Sequence, residues 1–568
     1  MLSQSAIPRI LPEPFQRDAV QPMLDRMQAA KVMPRLWNKD ASLWSDQPTE
    51  QAKIRQRLGW LSIALRMRAE AGQLTAFAEE MRRAGFQRAL LLGMGGSSLF
   101  AEVCRHLFGV TPGWLDVTVL DTTDPAAITA AANTDLSRTL FLVSSKSGST
   151  IESSALCDYF YDRLRQTSSS PGQQFIAITD AGTSLQTLAK ERGFRRTFTL
   201  SPDTGQDIGG RFSALSYFGM VPAALLGADI ARLLDRAIQM QRASGPELPI
   251  DENLGAQLGA FFAATVAQGR DKLTLLASPR TARFGVWIEQ LIAESTGKHG
   301  QGLIPIVGEP PRPASAYGPD RLFVDVRMAN EPDDAARADA LAKASHPIIR
   351  VVWEDACDLG AEVMRWCLAT AIVAWAMRVN PFDEPNVQES KDRTKALLEA
   401  PKDRGLSLFA NPQFFPGPTV ADALRQLQRS VKPGDYLVIV SFLPRSPAID
   451  ARLNTLREHL GRSLGMPTMS SIGPRYLHST GQLHKGGPDR AILLFFTADD
   501  AEELPVPGKP YTFGELKQAQ AMGDFQALQE RNRRVLRIHL TEPGERGLAA
   551  LEQAVDQTLP LPPPGQPA

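Results

Sequence analysis

The sequence predicts an α/β protein built from several parallel-sheet units. Apolar runs of strand length recur along the chain, and each is followed by a glycine- or serine-rich turn and then by a helical pattern. The runs are continuously apolar, as expected of strands that are covered by helices on both faces of a sheet. The 568 residues exceed the roughly 250 to 300 at which a single core stops growing, so two to four domains are expected.

The predicted strands fall into three groups, which indicate three α/β units of similar size. The first group follows a largely helical stretch that ends near residue 85, and the third follows "LFANPQFFPGPT" (408–419), which is rich in proline and glycine. The runs are "RALLLGMGG" (88–96), "LDVTVLD" (115–121), "TLFLVSS" (139–145) and "QFIAITD" (174–180); "DKLTLLASP" (271–279), "RLFVDVRM" (321–328) and "PIIRVVWED" (347–355); and "DYLVIVSFL" (435–443), "AILLFFTAD" (491–499) and "RVLRIHL" (534–540).

Composition and charge argue against several classes of protein. Lysine plus arginine and aspartate plus glutamate number 62 each, so the net charge favours neither nucleic acid nor a membrane surface as a partner. The four cysteines lack paired or metal-ligand spacing, which predicts neither a disulfide framework nor a metal site. Prolines interrupt the N-terminal stretch where a signal peptide would be apolar, and no apolar run approaches the length of a membrane span. We therefore expect a soluble protein of the reducing cytoplasm.

Two glycine- and serine-rich turns in the first unit are candidates for anion binding. "GMGGSS" (93–98) and "SSKSGST" (144–150) each follow a strand, where parallel sheets present backbone N–H groups and helix N-termini to ligands. Hydroxyls, amides and the Lys146 ammonium suit a phosphate monoester. Neither turn is a P-loop or a dinucleotide fingerprint, because Lys146 precedes its glycine and the first turn lacks a third glycine. Each could be a plain connection, but two in one sheet favour a phosphate site.

A third glycine turn, "GGRFSALS" (209–216), adds the planar guanidinium of Arg211. Its alternative interpretation is a surface arginine.

Six segments together resemble a known family. "GMGGSSL", "SSKSGSTIES", "GGRFSALS", "ESTGK", "IVGEP" and "NPFDEPNVQESK" occur in this order and are similar to the signature segments of the glucose-6-phosphate isomerase family, which is built from two sugar-isomerase (SIS) domains. The resemblance covers about residues 40 to 400. It implies two SIS-type parallel-sheet sandwich domains, followed by a third α/β unit that looks similar to the isomerase half of bacterial transaldolase fusions. The region before residue 88 is too short for a transaldolase barrel.

The predicted domains follow from these boundaries. They are an N-terminal helical stretch with the first SIS domain (1–240), a second SIS domain (241–405), an extra α/β domain (406–558) and a tail, "LPLPPPGQPA" (559–568), that is too rich in proline to fold.

The resemblance implies interconversion of glucose 6-phosphate and fructose 6-phosphate through a cis-enediol, with no metal and no organic cofactor. Glu294 of "ESTGK" is the implied proton carrier, because transfer between C1 and C2 needs one carboxylate that acts first as a base and then as an acid. Arg211 would stabilise the enediolate, and Lys391 would act in opening the sugar ring. Without the resemblance, a solvated helix-end glutamate and a surface lysine remain the simpler interpretations. The implied substrate-binding residues are Gly96, Ser97, Ser145, Lys146, Ser147, Ser149, Thr150 and Glu384.

Two departures from the family pattern concern charge and histidine. Glu384 stands where the family usually has a glutamine, which adds a negative charge near a phosphate. The family's histidine stretch is absent after "GEP" (308–310), but "RYLHSTGQLHKGGP" (475–488) carries a similar one. We predict that His484, or failing that His478, supplies the ring-opening imidazole, with His299 as the reserve candidate. A surface-loop histidine is the alternative.

Other functions remain open at this stage. A non-catalytic sugar-phosphate sensor would need the serine turns but not the three catalytic candidates together, and a mannose-phosphate or aminosugar-phosphate isomerase would keep most of them. The absence of an N-terminal cysteine-type glutaminase segment disfavours an amidotransferase. The resemblance also implies a homodimer with sites near the subunit interface.

Overall fold

The strands of the protein form three sheets in a computed structural model. The structure describes residues 9–12, 14–201, 206–332, 335–399, 419–540, 542 and 544–561. The strands are β1 (Arg9–Pro12), β2 (Arg88–Gly93), β3 (Asp116–Leu120), β4 (Thr139–Ser144), β5 (Phe175–Asp180), β6 (Arg196–Leu200), β7 (Lys272–Ala277), β8 (Ile304–Val307), β9 (Arg321–Met328), β10 (Ile348–Trp353), β11 (Tyr436–Ser441), β12 (Thr468–Ile472), β13 (Ala491–Ala498) and β14 (Arg534–Leu540).

Helices cover the sheets and connect consecutive strands. The α-helices of the described residues are Pro14–Ala29, Val32–Trp37, Pro48–Arg55, Ile63–Arg83, Leu99–Phe108, Pro125–Ala132, Ile151–Arg165, Ser184–Glu191, Tyr217–Leu225, Ile230–Arg242, Leu254–Ala267, Phe284–Thr296, Ala335–Lys343, Asp358–Met377, Val387–Glu399, Val420–Ser430, Pro447–Ser463, Gly481–Gly486, Phe513–Glu530 and Glu545–Thr558.

The first sheet has the order β3-β2-β4-β5-β6, and all its strands are parallel. Its central strands β2 and β4 are buried almost throughout, which explains their continuous apolar sequence. These two strands are neighbours, and Gly93 pairs with Ser144 at their carboxyl ends. The two predicted anion-binding turns therefore leave the sheet side by side.

The second sheet has the order β1-β10-β9-β7-β8, and the third has the order β12-β11-β13-β14. All neighbouring strands are parallel except β1, which pairs antiparallel with β10 and so joins the N-terminal segment to the second sheet. The α/β prediction is confirmed, and all ten predicted runs contain strands. β1, β6, β8 and β12 were not predicted. The predicted boundary at 405 and most of the predicted tail lie outside the described residues.

The three units pack against one another through apolar side chains. The first and second units share one continuous core, and the third has a core of its own. Two further clusters join the third unit to the second and to the first. The helix Asp358–Met377 is long and apolar enough to span a membrane, contrary to the expectation that no run has this property, and 89% of its apolar window is buried within the protein. It lies in the shared core.

Candidate active site

Two glycine turns of the first unit meet at close range. The turn Gly95–Ser97, which follows β2, packs against the turn Gly210–Phe212. A Cβ atom on Gly96 would lie 2.1 Å from the carbonyl oxygen of Gly210, so no larger residue fits there. This contact fixes Arg211 beside the first of the two predicted anion-binding turns.

Arg211 is buried and its guanidinium joins the first unit to two segments of the second. Its Nε donates to Ser295 Oγ at 2.8 Å, within the "ESTGK" segment. Its Nη2 donates to the carbonyl oxygens of Pro381 at 2.6 Å and Asp383 at 2.8 Å. These fixed acceptors hold the Arg211 guanidinium in one orientation. The N–H groups of its other nitrogen, Nη1, therefore have a fixed direction.

The remaining Arg211 nitrogen, Nη1, contacts two carboxylates. It lies 3.1 Å from Glu384 Oε2 and 3.5 Å from Glu294 Oε2. Burial raises the pKa of Glu294, and the attraction of Arg211 only partly opposes that shift. Burial acts on Glu384 in the same direction, but Arg211 outweighs it and holds the pKa of Glu384 below its ordinary value. The charge of Glu384 is thus balanced by its ion pair with Arg211. Glu294 is the carboxyl group that more readily takes up a proton.

A buried lysine completes this cluster. The Nζ atom of Lys298 donates to Ser295 O at 3.1 Å and to the carbonyl of Asn380, and it lies 3.1 Å from Asp383 Oδ1. Burial and the nearby Arg211 charge lower the pKa of Lys298 to about 8. The second cation beside Glu294 is therefore one that can lose its charge in the alkaline range.

The serine-rich turn after β4 presents several hydroxyls at the start of the helix Ile151–Arg165. Ser145 Oγ lies 2.9 Å from Thr150 Oγ1, and Ser147 Oγ accepts from the backbone N–H of Ser149 at 3.3 Å. Ser147 and Ser149 are exposed. The N-terminus of a helix attracts anions, so this turn can hold a phosphate.

Lys146 and Ser97 support the turns from behind. The Lys146 ammonium lies 2.7 Å from Asp180 Oδ1, with which it forms an ion pair. The carbonyl of Ser97 accepts a hydrogen bond from Ser144 Oγ at 2.7 Å, which ties the first turn to the second.

A turn of the third unit, Arg475–His478, reaches this cluster and is here called the histidine turn. His478 Nε2 lies 2.8 Å from Glu152 Oε1. The backbone carbonyl of His478 accepts from Gln290 Nε2 at 2.8 Å, and the same nitrogen lies 3.2 Å from Glu294 Oε2. A single amide thus connects the histidine turn to the candidate proton carrier.

Lys391 lies on the exposed side of the helix Val387–Glu399 and acts on Glu152 through its charge. Burial would raise the pKa of Glu152, but His478 outweighs burial and Lys391 adds to its effect, so that the pKa lies below its ordinary value. Glu152 is therefore an ionised carboxylate between a histidine and a lysine.

Comparisons with known proteins find relatives of the chain. No family model matches the chain. Over 351 residues it is 27% identical to a glucose-6-phosphate isomerase of Prochlorococcus marinus (strain NATL2A), which covers 55% of this chain and 66% of the relative. It is 33% identical over 218 residues to the glucose-6-phosphate isomerase of strain SARG. That match covers 38% of this chain and 40% of the relative. It is 25% identical over 397 residues to the glucose-6-phosphate isomerase of Mycoplasmopsis pulmonis. That match covers 60% of this chain and 90% of the relative. The chain thus spans two thirds or less of the first two relatives.

Solved structures share the fold. A glucose-6-phosphate isomerase from Chlamydia trachomatis has a TM-score of 0.54 at 19% identity and covers 70% of this chain and 89% of its own. A hypothetical protein from Thermus thermophilus has a TM-score of 0.57 at 23% identity, with coverages of 69% and 100%. The chain resembles glucose-6-phosphate isomerases in sequence and fold.

The structure brings most of the residues that this resemblance implied to one place, but the His484 ring makes no hydrogen bond to any of them. It is 1% exposed, and its ring lies between those of Tyr436 and Tyr476. Burial, with a contribution from the Lys485 charge, lowers the pKa of His484 to about 3. Neither ring nitrogen has a hydrogen-bond partner among the described residues. The reserve candidate His299 is exposed. Of the three histidines, the geometry favours His478.

Three residues of the cluster were not singled out from the sequence. Lys298 is the last residue of "ESTGK", Glu152 lies in "SSKSGSTIES", and Gln290 precedes Glu294 by one helical turn. The motifs themselves, and helical spacing, were the available signals. Among the described residues no group of three or more histidine, cysteine, aspartate or glutamate side chains could hold a metal ion. The absence of a metal or cofactor from the reaction stays a prediction.

Proposed function

We propose that the protein is a glucose-6-phosphate isomerase, which interconverts glucose 6-phosphate and fructose 6-phosphate by ring opening and a cis-enediol proton transfer. The observation that carries this proposal is the contact of Glu294 with Arg211: a buried carboxyl with a raised pKa lies beside a guanidinium that the fold holds rigidly. The hydroxyl-lined turn of the first unit begins beside Ser144, which is hydrogen-bonded to the glycine turn that packs against Gly210 and Arg211. The curated relatives carry this name and support the proposal.

Substrate binding starts with the phosphate in this proposal. The hydroxyls of Ser145, Ser147, Ser149 and Thr150 and the N-terminus of the helix Ile151–Arg165 bind its oxygens. Gly96 and Ser97 form the neighbouring wall of the proposed site, where the absence of a side chain on Gly96 lets this turn pack against the carbonyl of Gly210.

Ring opening uses the lysine and the histidine. The Lys391 ammonium donates a proton to the ring oxygen, while His478 accepts the proton of the O1 hydroxyl. Glu152, at 2.8 Å from His478, fixes the orientation of the imidazole and stabilises the imidazolium that forms. We therefore assign to His478 the role that the sequence had favoured for His484.

Isomerisation follows on the open chain. Glu294 removes the proton from C2, and the electron pair moves to O1 through the C1–C2 bond. The proton of the O2 hydroxyl then passes to O1, and the same carboxyl returns its proton to C1 as the C2 carbonyl forms. Arg211 stabilises the enediolate oxygen, and Glu384 keeps Arg211 from drawing too strongly on the carboxylate base. The raised pKa of Glu294 makes its carboxylate a stronger base. A stronger base suits this step, because the C–H group at C2 is a weak acid.

A coupled assay tests the proposal by converting fructose 6-phosphate and detecting glucose 6-phosphate. We expect turnover by the wild type and a loss of about 10²- to 10⁴-fold in Glu294→Gln, because a general base is removed. The variant should still bind glucitol 6-phosphate, which has no carbonyl group and cannot react. Glu289→Gln, on the same helix, is the matched control and should retain turnover.

The same assay separates the alternatives. A sensor would bind glucitol 6-phosphate without wild-type turnover, and turnover of only mannose 6-phosphate or glucosamine 6-phosphate would indicate a different isomerase. The homodimer, the cytoplasmic location and the domain boundaries remain proposals that follow from the resemblance.

A further inference from the structure

The helix Phe513–Glu530 of the third unit carries a row of buried polar side chains, here called the polar stripe: Lys517, Gln520 and Asp524. Their spacing places them on one face of the helix, and they are 2%, 2% and 0% exposed. Burying apolar side chains on this face would cost less free energy, because buried polar groups must find hydrogen-bond partners. Lys517 anchors the helix to the first unit, at 2.8 Å from Asp124 Oδ2.

Gln520 holds the carboxylate that contacts the histidine. Its Nε2 donates to Glu152 Oε1 at 2.7 Å, and its Oε1 accepts from Thr123 Oγ1 at 2.8 Å. Both ends of the amide are engaged, so it keeps one orientation. Glu152 Oε1 is the same oxygen that lies 2.8 Å from His478 Nε2. Gln520 thereby fixes the position from which Glu152 orients the imidazole.

Asp524 joins two segments that are far apart in the sequence. Its Oδ1 accepts from Ser390 Oγ at 2.6 Å, next to Lys391 in the chain, and its Oδ2 accepts from the Tyr476 hydroxyl within the histidine turn. Lys485 neutralises it at 2.5 Å. Burial opposes ionisation of Asp524, but the Lys485 charge and the hydrogen bonds from Lys485, Ser390 and Tyr476 together hold its pKa below the ordinary value.

The helices around Asp524 also approach closely. A Cβ atom on Gly523 would lie 3.0 Å from the backbone nitrogen of Thr394, on the helix that carries Lys391. A glycine at this position brings the two helices to a separation that the Asp524–Ser390 hydrogen bond can span.

We propose that the polar stripe is the positioning element for ring opening: Asp524 sets the placement of Lys391 relative to the histidine turn, and Gln520 sets the orientation of Glu152. The proposal rests on the proposed function. It gives the third unit a defined part in the reaction, as the scaffold on which the proton donor and acceptor for the sugar ring are held.

The test uses the full chain and three mild substitutions, Ser390→Ala, Tyr476→Phe and Gln520→Leu. Exchange between the two anomers of glucose 6-phosphate requires ring opening but no proton transfer from C2, and NMR saturation transfer measures it directly. We expect anomer exchange per folded molecule to fall about 10- to 100-fold, as for misplaced catalytic groups, with KM nearly unchanged. Gln529→Leu, at an exposed position of the same helix, is the control and should behave as the wild type.

A second readout separates positioning from a general structural defect. When ring opening limits turnover, the primary isotope effect with substrate deuterated at C2 moves toward one, whereas a loss of folded protein leaves it unchanged. Unchanged anomer exchange in the three folded variants would overturn the proposal. A fall in the exchange rate that only matches the fall in the folded fraction would also overturn it, because exchange per folded molecule would then be unchanged. A wild type that catalyses neither anomer exchange nor isomerisation would instead overturn the proposed function, and this proposal with it.

Discussion

At the level of single residues, Arg211 divides two carboxyl groups into different roles. Glu384 accepts the shorter contact and stays ionised, whereas the pKa of Glu294 is raised by burial. The glutamate that departs from the family pattern therefore does not leave an uncompensated charge near the substrate. It shares the guanidinium with Glu294, the proposed proton carrier, and its charge helps to raise the pKa of Glu294.

The first prediction concerns the acid side of the pH profile. Glu294 must be ionised to act as a base, and its raised pKa means that this form is lost, as pH falls, at a value above the ordinary 4.5. We expect kcat/KM to decline through that higher midpoint. Lys298→Met removes a cation that favours the carboxylate, so the midpoint should move further up. Lys395→Met, at an exposed site, is the control. A midpoint that moves down would contradict the assignment.

The second prediction compares the two histidines of the third unit. His478→Asn should lower turnover of cyclic glucose 6-phosphate by about 10²-fold or more, because it removes an acid–base group. His484→Asn should retain the turnover of its folded fraction, since a buried ring whose pKa is about 3 stays neutral and has no hydrogen-bond partner among the described residues. The opposite order of losses would restore His484 as the ring-opening group. Rates are normalised to folded protein by circular dichroism.

Sequence reasoning reached Glu294 and Arg211 because each lies in a compact motif. It could not choose His478 over His484, since the contact of His478 with Glu152 joins residues 326 positions apart. Local sequence around both histidines is similar, and only the packing of the third unit separates them.

At the level of elements, the contact between the turns Gly95–Ser97 and Gly210–Phe212 is the tightest part of the site. Gly96→Ala should sharply reduce both activity and stability, because its Cβ would lie 2.1 Å from a backbone oxygen that cannot move aside easily. Gly210→Ala is the matched control: a Cβ there meets nothing within 4 Å. Thermal unfolding and the coupled assay measure both effects. Equal tolerance of the two substitutions would show that the turns can separate.

The central helix Asp358–Met377 contains a buried ion pair, Glu362–Arg365, with 2.8 Å between charged atoms. Burial raises the pKa of Glu362 to about 7 although Arg365 opposes the shift. Arg365→Met alone should cost about 3–5 kcal/mol, whereas Glu362→Leu with Arg365→Met should be neutral or stabilising.

The pH dependence of unfolding checks this pair. The folded pKa of Glu362 exceeds the unfolded value of 4.5, so the native state binds more protons between 4.5 and about 7. The contribution of Glu362 to stability is therefore lost as pH rises through that window. The double variant should lack this slope in urea titrations, and an unchanged slope would contradict the role of Glu362.

The strands divide according to how clearly their sequences predict them. Ten apolar runs were recognised, whereas β6 ("RTFTL") alternates with polar residues, β8 ("IPIV") is short and contains proline, and β12 ("TMSSI") carries two serines. β1 is an antiparallel edge strand that pairs with a distant partner. Their places in the sheets come from neighbours that local sequence does not reveal.

At the level of the whole molecule, all three units contribute to one site. Arg475 of the histidine turn forms ion pairs with Glu102 and Asp121 of the first unit, both at 2.6 Å. These contacts, with the shared apolar clusters, hold the third unit against the other two. The proposed phosphate, proton-transfer and ring-opening groups all come from a single chain.

This arrangement predicts that activity does not depend on association. We expect specific activity per chain to stay constant on dilution through any dimer–monomer equilibrium, as followed by analytical ultracentrifugation beside the coupled assay. Activity that falls with the dimer fraction would mean that a partner chain completes the site. The fold class could be predicted from the sequence, but this convergence could not, because it depends on how separate units pack.

The amide of Gln290 has a consequence for how the two chemical steps communicate. It touches the backbone of the histidine turn and the carboxylate of Glu294 through one nitrogen atom, and its hydrogen bond lowers the proton affinity of that carboxylate. Loss of the hydrogen bond between Gln290 and Glu294 would make this carboxylate a stronger base. Under the proposed function, Gln290 is therefore a contact through which the position of the histidine turn can act on proton transfer at Glu294.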